Sequence, residues 1–148
     1  MSFAWQTPFV LSMNCANFAP YVNTSLQSGM NTQEQFEQIM AECRELFSKK
    51  LHDYGAAWRI MRPSSVTDQI FIKANRIRNL EIKGESWVGE GIRPEFVGIV
   101  NYAIVGLIQL DLGYADAEDM TAEQALEHYD RHARRSLDLM LKKNHDYD

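Results

Sequence analysis

The sequence predicts an all-α fold, a bundle of about four helices around a central buried helix at 94–112. Three observations carry this. Pro94–Leu112 holds more apolar residues than any other stretch of its length. Three further segments carry apolar residues at helical spacing behind N-capping patterns. No segment of useful length alternates apolar and polar residues as a half-buried strand would.

The first helix is expected over about Gln33–Asp53. Thr32 and Gln35 form a capping-box pattern, and Gly55 stops the helix. Phe36, Ile39, Met40, Cys43, Phe47 and Leu51 make its apolar stripe, and Lys50 and Tyr54 project to the same side. Glu42 and Glu45 point away. A connection at 55–65 contains Trp58 and ends near Arg62-Pro63. Ser65 with Asp68 reads as the next N-cap, ahead of a second helix over Val66–Lys83. Its stripe is Val66, Ile70, Ala74, Ile77 and Leu80, with Lys73 and Glu81 on or beside it. The glycine-rich stretch at 84–93 leads into the central helix.

The central helix opens on Pro94, whose missing N–H has no helical partner at that position. It closes on Gly113. A helix apolar on nearly every side is expected to be buried on nearly every side. Glu95, Asn101, Gln109 and Asp111 interrupt the run, which argues against a membrane span. At about 100° per residue, Glu95, Gly98, Tyr102 and Gln109 share one narrow stripe, flanked by Asn101 and Gly106. That stripe is either close helix packing with satisfied polar groups or one wall of a polar pocket. Thr121 with Gln124 caps the last helix, over about Ala122–Asn144, with Leu126, Tyr129, Ala133, Leu137 and Met140 facing in.

Composition narrows the function. The chain has 148 residues, enough for one domain with a real core. A net charge of −5 with no block of basic residues argues against a nucleic-acid backbone as main partner. Two cysteines, Cys15 and Cys43, have no metal-ligand spacing and suit a reducing, cytoplasmic setting. No membrane partner is expected. Residues 1–33 contain no charged side chain. Residues 1–30 are therefore read as an uncharged extension outside the fold, with Met30 as the natural start. Lys49–Tyr54 returns as Lys142–Tyr147, identical apart from Leu51 against Asn144. This divides the chain into a first all-α repeat at 31–113 and the first helix of a truncated second repeat at 121–148. Homodimerisation, or pairing with the missing copy, is the expected consequence.

Four charged residues face inward by phase: Lys50, Lys73, Glu81 and Glu95. Burying charges is costly unless they are paired or hold something charged. Either Lys73 joins Glu81 or Glu95 in a structural network, or the four make one site. In a shared site, the carboxylates suit a divalent cation and the lysines a phosphate. His128 and His132 lack a third ligand in register, and Glu42–Glu45 and Glu127–Asp130 read as solvated faces. There is no Walker A, GxSxG or HExxH pattern.

KKLHDYGAAWRIMRPSSVTDQIFIKANRIRNLE, followed by EGIRPEFVGIVNYAIVGLIQL, resembles the nucleotide modification associated domain family one. Its most specific parts are Lys50 with Asp53-Tyr54-Gly55 and Trp58, the Lys73–Arg78 segment, and Asn101-Tyr102. The resemblance implies a nucleotide-handling domain, often in tandem copies. A more distant likeness to MazG-like all-α nucleoside triphosphate pyrophosphohydrolases implies magnesium-dependent release of pyrophosphate. On that reading Lys50, Lys73 and Arg76 contact phosphates, and Trp58 or Tyr54 stacks on a base. Glu81 and Glu95 hold Mg2+ as the catalytic carboxylates, and Asp53, Asn101 and Tyr102 complete the site. Related sequences carry an acid where this chain has Gly98. That departure favours an alternative, a non-catalytic repeat that supports a nucleotide-modifying enzyme.

Overall fold

The computed structural model describes residues 29–83 and 91–145, and these form four helices with no strand among them. They are α1 (Thr32–Tyr54), α2 (Pro63–Lys83), α3 (Arg93–Leu112) and α4 (Ala122–His145), with a short 3-10 turn at Ala57–Ile60. The expected extension before Gly29, most of the 84–93 loop and the last residues of the proposed second copy lie outside the described residues.

The helix ends differ from expectation where backbone chemistry outranks a side-chain pattern. Asn31, not Thr32, caps α1: its side chain accepts from the Glu34 N–H, and the Glu34 carboxylate accepts from the Asn31 N–H. Asparagine is the stronger N-cap, so the helix starts one residue earlier. Likewise α2 starts at Pro63 rather than behind Ser65. The Pro63 ring pre-sets helical φ, and the Val66 N–H already donates to the Arg62 carbonyl at 3.1 Å. Thr121 and Gln124 do form the expected reciprocal cap of α4. Gly55 ends α1 at φ +61, and Gly113 ends α3 at φ +75.

α3 packs against each of the other three helices and is the central element. It is not buried all round. Val97, Gly98, Ile104, Val105, Ile108 and Gln109 face the bundle, whereas Ala103, Leu107 and Leu110 face outward, Leu110 at 73% exposure. By length and composition alone α3 would fit a bilayer. Its packed face instead forms the wall of a helical core. Among the described residues, the other three helices leave one side of α3 uncovered.

The core joins Phe47 and Leu51 of α1, Val66 of α2, Ile104, Val105 and Ile108 of α3, and Ala125 and Tyr129 of α4. The Phe47 and Tyr129 rings stack with centroids 4.6 Å apart. Ile39 is exposed, because core contacts along α1 begin only at Met40. Two residues expected on solvated faces instead tie helices together. Asp130 takes a two-pronged bond from Arg44, at 2.6 and 3.0 Å, and Glu42 pairs with Arg93.

A polar knot holds the connections in place. The buried Arg59 guanidinium donates to both Asp119 oxygens, at 2.8 and 3.0 Å, to the Gly113 carbonyl at 2.7 Å, and to Gln109 Oε1. The Gln109 amide nitrogen reaches the carbonyls of Trp58, Arg59 and Met61. Glu118 accepts from the Ala56 N–H at 2.6 Å. The 3-10 turn, the end of α3 and the 113–121 linker are thereby locked as one unit, on which Trp58 stands.

Candidate functional site

A cavity of about 460 Å³ lies between the C-terminal half of α1, the 3-10 turn, and the facing sides of α2 and α3. That volume falls in the range of small-molecule sites. Phe47, Leu51, Met61 and Val105 form its apolar floor and walls. Lys50, Tyr54, Trp58, Lys73, Asn101 and Tyr102 supply its polar and aromatic lining. Six of the ten residues singled out from the sequence therefore meet here.

Helical spacing explains the α1 contribution. Lys50 and Tyr54 are four apart, so they share a face. The Lys50 ammonium sits 5.4 Å from the Tyr54 ring centroid. Both residues are exposed, at the mouth. Trp58 rides on the 3-10 turn with its ring tilted toward Phe47, centroids 6.1 Å apart. Its indole N–H is buried and has no hydrogen-bond partner among the described residues. Buried donors are normally satisfied, so this one suits a water or a ligand acceptor.

Lys73 arrives from α2 across a gap that Gly98 leaves in α3. An ideal Cβ at position 98 would fall 2.5 Å from Lys73 Cε. The ammonium ends 3.2 Å from Glu95 Oε2, and Arg76 Nη1 lies 3.1 Å from Glu95 Oε1. The sequence left two alternatives open for Lys73, a buried pair or a shared site. The structure shows the pair with Glu95 and also places Lys73 in the cavity lining.

The other four residues lie off the lining. Asp53 is exposed beside His52. Arg76 is exposed and turned to Glu95. Glu81 is exposed on α2. Glu95 is buried behind Lys73. Asn101 is in the wall, but its side chain is already committed. Its Nδ2 donates to the Cys43 carbonyl at 3.0 Å, and its Oδ1 accepts from the Tyr129 hydroxyl at 2.8 Å. That chain ties α1, α3 and α4 behind the cavity, and burial pushes the Tyr129 hydroxyl pKa up.

The carboxylates do not fit a magnesium ion. Magnesium takes one or two carboxylates that are free to bind it. Both Glu95 oxygens face basic groups, no carboxylate lines the cavity, and no three His, Cys, Asp or Glu side chains gather into a metal-holding group among the described residues. The His128 and His132 pair does not assemble one either. His132 is buried with Nε2 3.2 Å from Asp111, and burial holds its pKa below the ordinary value.

Sequence reasoning missed Arg59, which sits in a connection where an arginine is normally solvated. It also read Phe47 and Leu51 as core alone, although they serve both core and cavity. The only available signal was position: Phe47 sits one turn before Lys50 on α1, and Leu51 one turn before Tyr54.

What the cavity can do follows from its lining, which among the described residues has two ammonium groups, three aromatic rings with polar tips and no carboxylate, in a chain of net charge −5. This is a lining for an anion attached to a flat ring system. No curated protein and no solved structure matches the chain. Residues 50–110, which supply Lys50, the 3-10 turn, α2 and the α3 wall of this cavity, match the family described as nucleotide modification associated domain 1.

Proposed function

We propose that the cavity binds a nucleotide. The phosphate lies against Lys50 and Lys73, with Arg76 reinforcing the positive field from behind Glu95. The base lies among Tyr54, Trp58 and Tyr102, and the Trp58 N–H gains an acceptor. The observation that carries this reading is the pairing of two lysines with aromatic rings, with no carboxylate in the lining among the described residues, in an acidic chain. The family match over the same segment supports it. Lysine provides a compact point charge suited to phosphate oxygens. Aromatic rings accept any base by stacking.

The double ion pairing of Glu95 favours a binding role over hydrolysis for this domain. A carboxylate held by both Lys73 and Arg76 has little residual charge with which to hold a metal or activate water. A domain that binds a nucleotide in support of a modifying enzyme fits this arrangement.

The test is a thermal-shift panel of the full chain against nucleosides, ribo- and deoxynucleotides and inorganic pyrophosphate. A ligand at 100 times its dissociation constant adds about 2.7 kcal/mol. That corresponds to roughly 5 to 10 °C in a domain of this size. A shift with nucleotides but not with nucleosides supports the reading. A cooperative melt that no nucleotide moves refutes it.

A further inference from the structure

The charge balance around the cavity distinguishes between classes of nucleotide. Lys50, Lys73 and Arg76 carry three positive charges, and Glu95 opposes them with one negative charge. The surplus is two, divided between the mouth of α1 and the gap over Gly98. Lys50 contacts only the Tyr54 ring among the described residues, so its charge is available. Lys73 is anchored at one side by Glu95, which fixes where its remaining N–H groups point. A phosphate monoester carries a charge of about −1.5 to −2 at pH 7. It matches that surplus with no metal. A triphosphate carries two further phosphoryl groups. Its extra charge calls for either more cations or a magnesium ion held by free carboxylates, and neither is present in the lining among the described residues.

From this we infer that the cavity is a metal-independent site for a nucleoside monophosphate. The inference rests on the nucleotide-binding reading above and narrows it to one substrate class. Glu95 then serves as a positioning residue. It holds Lys73 against α3, in the space that Gly98 leaves open, with its ammonium facing the ligand phosphate.

Isothermal titration of the full chain tests this with nucleoside monophosphates and triphosphates, each in EDTA and in magnesium, with inorganic phosphate as a separate arm. Expected is monophosphate binding that EDTA leaves unchanged and that exceeds triphosphate binding in either buffer. Lys50→Met should weaken monophosphate binding at least about tenfold, the size of one lost charge-assisted hydrogen bond. Glu81→Gln, exposed and away from the cavity, should leave it unchanged. Triphosphate binding that is tighter, needs magnesium and is lost in Glu81→Gln overturns the inference while leaving a nucleotide site. Inorganic phosphate binding as tightly as any monophosphate overturns it, because the aromatic lining then contributes nothing. Failure of every nucleotide to bind overturns both this inference and the broader reading.

Discussion

Gly98 is bare because Lys73 lies across it: a Cβ there would stand 2.5 Å from Lys73 Cε, 2.8 Å from Cδ and 2.9 Å from Nζ. The glycine is in the middle of α3, at a position that costs about 0.5–1 kcal/mol relative to alanine. Its place is explained by the lysine stem that passes it. Gly98→Ala should therefore leave the melting temperature within a few degrees, since helix propensity offsets the displaced side chain. Nucleotide affinity should fall about tenfold, as Lys73 is pushed off its seat. Unchanged affinity in a titration would show that Lys73 does not act from this position.

Glu95→Gln tests the positioning role of the carboxylate. Lys73 loses its partner in a site where its side chain is only 22% exposed. Stability should fall by about 1–3 kcal/mol, discounted from a fully buried pair because Arg76 is open to solvent. Nucleotide affinity should fall with it, by about tenfold as in Gly98→Ala, because Lys73 is no longer held facing the ligand phosphate. Loss of binding with unchanged stability would point instead to a direct role for Glu95 at the ligand.

Gln109 is a structural residue. Its amide joins the carbonyls of Trp58, Arg59 and Met61 to the Arg59 guanidinium. Gln109→Ala leaves several buried groups without partners, at a cost of about 3 kcal/mol. The melting temperature should drop by roughly 10 °C. Because Trp58 stands on this knot, ligand affinity should fall in parallel when measured below the new midpoint.

Cys43 is fully buried on α1, and burial pushes its thiol pKa up to about 11. A thiol, not a thiolate, faces any reagent at ordinary pH. In a Cys15→Ser chain, alkylation at pH 8 should be negligible in the native state and fast in denaturant. Rapid native labelling would mean that the core around Phe47 opens readily.

His132 and His128 are both held below their ordinary pKa, chiefly by burial. For His132, Asp111 pulls the other way and does not prevail. A depressed histidine stays neutral in the native chain while the unfolded chain takes up a proton near pH 6.5. Stability therefore declines as pH falls below about 6.5. Urea midpoints should drop between pH 6.5 and 5, above the range where carboxylates titrate. The slope should flatten in a His128→Gln, His132→Gln double variant. A midpoint that stays constant across that range would contradict it.

Much of this architecture was legible without coordinates because helices announce themselves locally. The 3.6-residue stripes of α1, α2 and α4, the Thr121–Gln124 cap, Pro94 and the glycines at 55 and 113 specify where helices run and stop. The same local periodicity placed Lys50 with Tyr54, and Gly98 with Tyr102, on shared faces, so most of the cavity lining could be named. The helix starts shifted by one residue at α1 and three at α2, since Asn31 and Pro63 compete with neighbouring patterns over the same turn.

What the sequence determined by itself is the set of four helices and the polar stripe along α3. Only tertiary packing decided what each part of that stripe does. Glu95 meets Lys73 and Arg76, Gly98 makes room for a lysine, Asn101 braces α1 and α4, and Gln109 ties a knot with Arg59. One stripe divides into pair, gap, brace and knot because different elements lie against it along its length. Those neighbours are tens of residues away in the chain, and no local pattern encodes which of them will face a given turn.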